Sequence, residues 1–207
     1  MNDTQSPIRD EALIDALWPL VAERGWNGFG LQDLAGRAGI TLEALRGRVP
    51  GKFALLCLHA RLVDQAVLRD AGLNPNGTPR DLLFDALMRR IDLLQPHRAG
   101  ILRLGREMRS NPALALALAP VLAGSMAWML EAARLGACGP AGLLRTKGLV
   151  TVWLATLHAW ERDDSMDLGP TMAALDRALD KADRAARLLR LGGAQPEEAA
   201  AAGGAAA

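Results

Sequence analysis

Apolar residues recur along this chain at steps of three and four, and almost nowhere at steps of two. Leu13, Leu17, Leu20 and Val21 share one helical face, and the same periodicity continues to residue 190. It predicts helices over 7–24, 31–37, 41–47, 51–70, 79–94, 97–109, 112–135, 140–162 and 170–190. The chain is therefore expected to be all-α, with about nine helices. Abundant Ala, Leu and Arg and few β-branched residues favour the same state by propensity. Helix starts are marked by a capping residue before proline at Ser6-Pro7, Thr78-Pro79 and Asn111-Pro112, with weaker versions at Gly139-Pro140 and Gly169-Pro170. Pro19 lies inside the first helix and predicts a kink there. The tail "GGAQPEEAAAAGGAAA", within 192–207, is low-complexity and expected to be disordered.

The first three helices form a candidate unit of about 45 residues. After the first, two short helices supply Leu31, Leu34, Ala38, Ile40 and Leu45. Ala35, Gly39 and Leu45 are the small, glycine and apolar positions that let two helices cross around a tight turn. Gly39 is expected to take a left-handed backbone, and Thr41 to cap the next helix with its hydroxyl. These features outline a helix-turn-helix.

The stretch "GWNGFGLQDLAGRAGITLEALRGRVPGKFALL" resembles, without a gap, the N-terminal domain of TetR-type (TetR/AcrR) one-component transcriptional regulators. Gly25-Trp26 stands at that family's Gly-aromatic turn and Leu34-Ala35 at its Ile-Ala pair. Ala38-Gly39-Ile40-Thr41 matches its Ala-Gly-Val-Ser, while Leu45, Pro50, Lys52 and Leu55-Leu56 occupy its usual positions. Departures fall on the surface that would face DNA. Gly30 replaces a capping Ser or Thr, Glu43-Ala44 a Gly-Thr pair, and Arg46 a phosphate-contacting Tyr. Gly47 follows, then Val49 for a packing Phe and Gly51 for a Ser. The resemblance implies a TetR-like fold: a helix-turn-helix domain over 1–52 and a helical ligand-binding and dimerisation domain over 53–191. It further implies a homodimer that binds a double-stranded DNA operator and senses an apolar small molecule, most simply as a repressor.

Charge bears on that implication. The net charge is only +1, so no global basic field points to nucleic acid. From Arg37 to Arg61, however, five basic residues (Arg37, Arg46, Arg48, Lys52, Arg61) face one acidic residue, Glu43, which makes the segment +4. Phosphate contacts give affinity and base contacts give specificity. The candidate DNA-binding set is Arg37, Thr41, Glu43, Arg46, Arg48 and Lys52. Glu43 repels phosphate unless it accepts from a cytosine amino group, and Gly47 costs a helix interior about 1 kcal/mol relative to alanine. The residues alone leave two readings open, a DNA-reading surface and a solvated helix face.

Downstream, Leu83, Leu87, Ile91 and Leu94, then Ile101, Leu104 and Met108, form apolar faces, with the arginines Arg89, Arg90, Arg98, Arg103, Arg106 and Arg109 expected largely off them. "PALALALAPVLAGSMAWMLEAARLG" is apolar on nearly all sides in its first half, and such a helix is normally buried. Leu87, Ile91, Leu104, Met108, Met126 and Met129 are candidate lining for an apolar ligand cavity; the alternative is an ordinary packed core. In the last two helices, Leu168, Met172, Leu175, Leu179, Ala182, Ala186 and Leu189 alternate steps of four and three, and Trp153 and Trp160 are seven apart. This seam, with Leu149, is the candidate dimer interface. Packing of the seam inside one chain is the alternative. Asp180–Arg184 and Asp183–Arg187 are expected as i,i+4 pairs.

"WERDDSMDLGPTMAALDRAL" is similar to the C-terminal motif of the coenzyme Q (ubiquinone) biosynthesis lipid-binding accessory family, which has a TetR-like fold. Trp160, Asp163, Asp164, Ser165, Thr171 and Leu175 carry the likeness. It implies a non-enzymatic isoprenoid-binding protein that no longer binds DNA, with peripheral membrane contact through "KADRAARLLRL". Read by themselves, Asp164, Ser165 and Asp167 also suit a helix-to-helix corner.

Half of the 207 residues are hydrophobic, enough for a substantial core. The early acidic residue in "MNDTQSPIRDEAL" argues against a secretion signal, and the apolar runs are shorter than the roughly 20 residues that span a bilayer. Two cysteines, Cys57 and Cys138, suit reduced thiols, and a cytoplasmic location is expected. Cys57 is expected to be buried. His59, His97 and His158 lie far apart in sequence with no metal-ligand spacing, and His158 reads as an interface histidine. No catalytic constellation, metal site or cofactor loop is expected.

Overall fold

A computed structural model describes residues 9–70 and 77–189. Among them there are nine α-helices and no strand: α1 (Asp10–Arg24), α2 (Leu31–Arg37), α3 (Leu42–Arg48), α4 (Lys52–Asp70), α5 (Pro79–Leu94), α6 (Arg98–Ser110), α7 (Pro112–Ala132), α8 (Gly139–Trp160) and α9 (Gly169–Leu188). A single 3-10 turn, Gln95–His97, joins α5 to α6. The expected start at Ser6-Pro7 and the tail over 192–207 lie outside the described residues. Side-chain caps account for several starts. Thr41 Oγ1 accepts from Ala44 N–H at 3.1 Å, Thr78 Oγ1 from Asp81 N–H at 3.2 Å, and Asn111 Oδ1 from Leu114 N–H at 3.2 Å. At α8 and α9 the helix begins on the glycine itself, so the caps are Cys138 and Leu168, one residue earlier than the Gly-Pro pairs suggest.

The chain forms two compact units. In the first (residues 9–70 with 89–125), Leu13, Leu17, Leu20 and Val21 of α1 are buried with Leu34, Ala35, Leu45, Leu55, Leu56 and Leu104. α1 and α6 approach closely because Gly100 has no side chain: a Cβ there would stand 2.5 Å from the Trp18 carbonyl oxygen. Glu107 of α6 accepts from the Trp26 N–H at 2.9 Å, holding the turn after α1. Arg90, expected on a polar face, is buried instead beside Asp64 and Ser125. An apolar stripe leaves room for one buried charge when a counter-charge on another helix meets it.

The second unit (residues 77–88 with 126–189) is organised by α8 against α9. Leu149, Val152, Trp153 and Trp160 of α8 are buried with Leu168, Thr171, Leu175 and Leu179. Of the candidate interface residues, Leu149, Trp153, Trp160, Leu168, Leu175 and Leu179 are covered within the chain, whereas Met172, Ala182 and Ala186 are half-exposed and Leu189 is exposed. Between the two helices, Asp163 accepts from the N–H and hydroxyl groups of both Ser165 and Thr171. The Ser165 hydroxyl first, then that of Thr171, holds this carboxyl well below the usual carboxylate range. Asp163→Ala is therefore a change to the corner itself. Arg80 binds Asp176 and Asp180, each at 2.6 Å, which ties α5 to α9 and takes Asp180 from its expected partner Arg184. The Asp183–Arg187 pair forms at 2.7 Å.

α7 departs most from expectation. Its first half is not buried: Ala113, Leu116, Ala117, Ala119 and Pro120 are exposed, Leu116 to 76 %. At 21 residues α7 is also long and apolar enough to cross a membrane by length and composition. Burial begins only at Ser125, Met126, Met129 and Leu130.

Candidate nucleic-acid interface

A helix that reads DNA must be held by few residues and present the rest. α2 and α3 meet this through a turn in which Gly39 takes φ +68° and Ile40 N–H donates to the Ala35 carbonyl at 3.0 Å. On α3 only Leu45 is buried, at 1 % exposure, with Val49 just past its end; Leu42, Glu43, Ala44, Arg46, Gly47 and Arg48 are all exposed. A Cβ on Gly47 would meet nothing within 4 Å. Packing thus does not require this glycine. Gly47→Ala is expected to stabilise the protein by about 1 kcal/mol, measured by urea unfolding, because helix entropy is the only term in play.

The basic residues are held in different ways. Arg37 donates to both carboxylate oxygens of Glu23, each at 2.8 Å, which lowers the Glu23 pKa and fastens α2 to α1. Arg48 reaches Asp10 at 3.3 Å, and both are exposed. Lys52 turns to the turn between α1 and α2. Its ammonium donates to the Trp26 and Phe29 carbonyls and stands 3.5 Å from the centroid of the Phe29 ring. Burial pushes its pKa below the ordinary range, against the pull of Asp33 and Glu107. Lys52 is a structural cation.

Arg46 differs from all of these. No hydrogen bond or ion pair holds it among the described residues, and it projects from the middle of the exposed face. Thr41 spends an oxygen lone pair on its cap and keeps a hydroxyl proton to donate. At the start of α2, where Gly30 has no side chain to cap, Asp33 reaches back and accepts from the Gly30 N–H at 2.8 Å. That bond, then Arg24 at 3.0 Å, keeps Asp33 ionised below its usual range. The acidic partners Glu23 and Asp10, both on α1, were invisible to sequence reasoning because their spacings from Arg37 and Arg48 follow no local rule, whereas Asp33 stands at the i,i+3 spacing of a capping box and could have been read.

No protein-family model matches the chain, and no curated protein matches it. Among solved structures, a TetR transcriptional regulator from Nitrosomonas europaea ATCC 19718 superposes with a TM-score of 0.69 at 22 % identity, covering 84 % of this chain and 97 % of that one. The fold is that of TetR regulators.

The remaining candidate residues are placed elsewhere. Leu87, Ile91, Leu104, Met126 and Met129 are buried and Met108 half-buried. They divide between the two units, and Leu104 and Met108 pack on the α1–α4 core. His158 is exposed beside Arg162 rather than set among apolar groups. His59 and His97, distant in sequence, come together with ring centroids 5.5 Å apart. Cys57 is half-buried and Cys138 exposed. Among the described residues, no three His, Cys, Asp or Glu side chains gather as a metal ion requires.

Proposed function

We propose that the chain is a TetR-type DNA-binding transcriptional regulator acting as a repressor in the cytoplasm. The head spans residues 1–52 and the dimerising, ligand-sensing body residues 53–191. The observation that carries the reading is α3: one buried anchor, an otherwise exposed surface, and Arg46 held by no other side chain. Arg46 and Arg48 supply phosphate affinity, while Thr41 and Glu43 at the helix start supply base contacts. Arg37 supports the surface from α2, and Lys52 holds the turn that orients it. The partner is double-stranded DNA, bound by a homodimer. Because Trp153, Trp160, Leu175 and Leu179 are consumed inside one chain, dimer contact falls to the outer side of α8, where Leu143, Leu144 and Leu154 are exposed. An apolar effector releases DNA only to the extent that it binds the two states with different affinity.

The test is a gel shift on the upstream region of the protein's own gene across a salt series. Arg46→Ala is expected to weaken binding on all sequences alike and to lower the salt slope by about 1 per head. Absence of sequence-selective binding at every salt concentration would sink the proposal. A second reading, a lipid-binding accessory protein of ubiquinone biosynthesis, is favoured by the exposed apolar first half of α7. An isoprenoid lipid co-purifying with protein that ignores DNA would establish it instead.

A further inference from the structure

A cavity of about 300 Å³ opens in the first unit where the end of α3, the start of α1 and the first turns of α4 meet. Val49, Pro50, Ala54, Cys57 and Leu58 form its apolar wall, and Asp10, Arg48 and Arg61 supply its charges. Of the lining residues Val49 and Leu58 are buried, whereas Arg48 and Arg61 are exposed at the rim. Two guanidinium groups against one carboxylate leave the lining with one net positive charge. Asp10 already pairs with Arg48 at 3.3 Å, whereas no hydrogen bond or ion pair holds Arg61 among the described residues. A phosphate alone would face four aliphatic side chains, and a neutral apolar molecule would leave the rim unused. The complementary ligand carries one anionic head and a short apolar body.

We propose that this cavity is a binding site for a small apolar monocarboxylic acid. Its carboxylate bridges Arg61 and the free edge of Arg48, and its alkyl body lies on Val49, Ala54 and Leu58. The site is built entirely from the first unit and does not depend on the regulator reading. If that reading holds, occupancy competes with DNA for Arg48; this consequence alone rests on it.

Cys57 in the wall gives a direct readout, and exposed Cys138 an internal control. The rate of iodoacetamide alkylation at each thiol is followed by peptide mass mapping with octanoate, and separately with octanol. Octanoate is expected to slow alkylation of Cys57, by about tenfold at saturation, without slowing that of Cys138. Arg61→Gln, an exposed position, is expected to raise the octanoate concentration needed by about tenfold while leaving the unfolding temperature unchanged. No protection by octanoate, equal protection by octanol, or protection unaffected by Arg61→Gln overturns the assignment. Gel shift with the same octanoate series reads the DNA consequence separately.

Discussion

Asp64→Ala is expected to destabilise the protein by about 3–5 kcal/mol, measured by urea unfolding, among the largest costs of any single charged residue here. Asp64 of α4 pairs with Arg90 of α5, and their side chains are only 11 % and 7 % exposed. Its second oxygen accepts from the Ser125 hydroxyl of α7 at 2.6 Å, and Ser125 in turn lies 3.3 Å from an Arg90 nitrogen. Truncating the carboxylate leaves a guanidinium buried without that counter-charge, which costs far more than the net worth of the pair. Asp64→Leu combined with Arg90→Met is accordingly expected to recover most of the loss, because the apolar pair removes both desolvation penalties. Ser125→Ala should cost about 1.5–3 kcal/mol, the usual value of a hydrogen bond to a charged group. A double mutant no better than Asp64→Ala alone would show that packing, not charge, sets the cost. The network matters for function because α4 follows directly on α3 and carries the wall of the cavity.

How much of this was legible in the sequence depends on whether a feature is local. Helix limits were, because periodicity and caps act over one or two turns: the spans of α2 and α5 agree with expectation at both ends, and Thr41 and Asn111 cap as their chemistry requires. The turn glycine Gly39 was legible for the same reason. Features set by the meeting of distant segments were not. Arg37 finds Glu23 fourteen residues away and Arg80 finds Asp180 a hundred residues away, at spacings no pattern rule contains. The heptad-like seam of α9 was visible, but a seam states only that a helix is covered, not whether the cover is α8 or a partner. Likewise Asp163, Ser165 and Thr171 meet at the corner between α8 and α9, where Asp163 accepts from both hydroxyls. The rule that an all-round apolar helix is buried failed for the first half of α7, since apolarity permits burial without compelling it.

Stability is expected to fall by about 2 kcal/mol as pH drops from about 7.5 to about 5, and His59 is the chief cause. Trp18 Nε1 donates to His59 Nδ1 at 2.9 Å, a bond that requires Nδ1 to be unprotonated. Burial first, then the neighbouring His97 and Arg90, lowers the His59 pKa from 6.5 to about 3. His97, stacked near Trp18 and 3.5 Å from Asp15, is lowered by burial in the same direction. In the unfolded chain His59 takes up a proton below about pH 6.5, while the folded protein holds it neutral until about pH 3. The unfolded state therefore binds more protons across that window, so stability declines with falling pH, and the imidazole adds no further change above it. His59→Gln keeps an acceptor for the Trp18 N–H and removes the titration. It is expected to flatten most of the decline, although it costs stability at neutral pH through imperfect packing. Urea midpoints measured across this pH range for the wild-type and variant chains provide the test. A wild-type profile that is flat from about pH 7.5 to about 5, or a decline that survives His59→Gln unchanged, would mean that the buried imidazole is not what the fold protects from protonation.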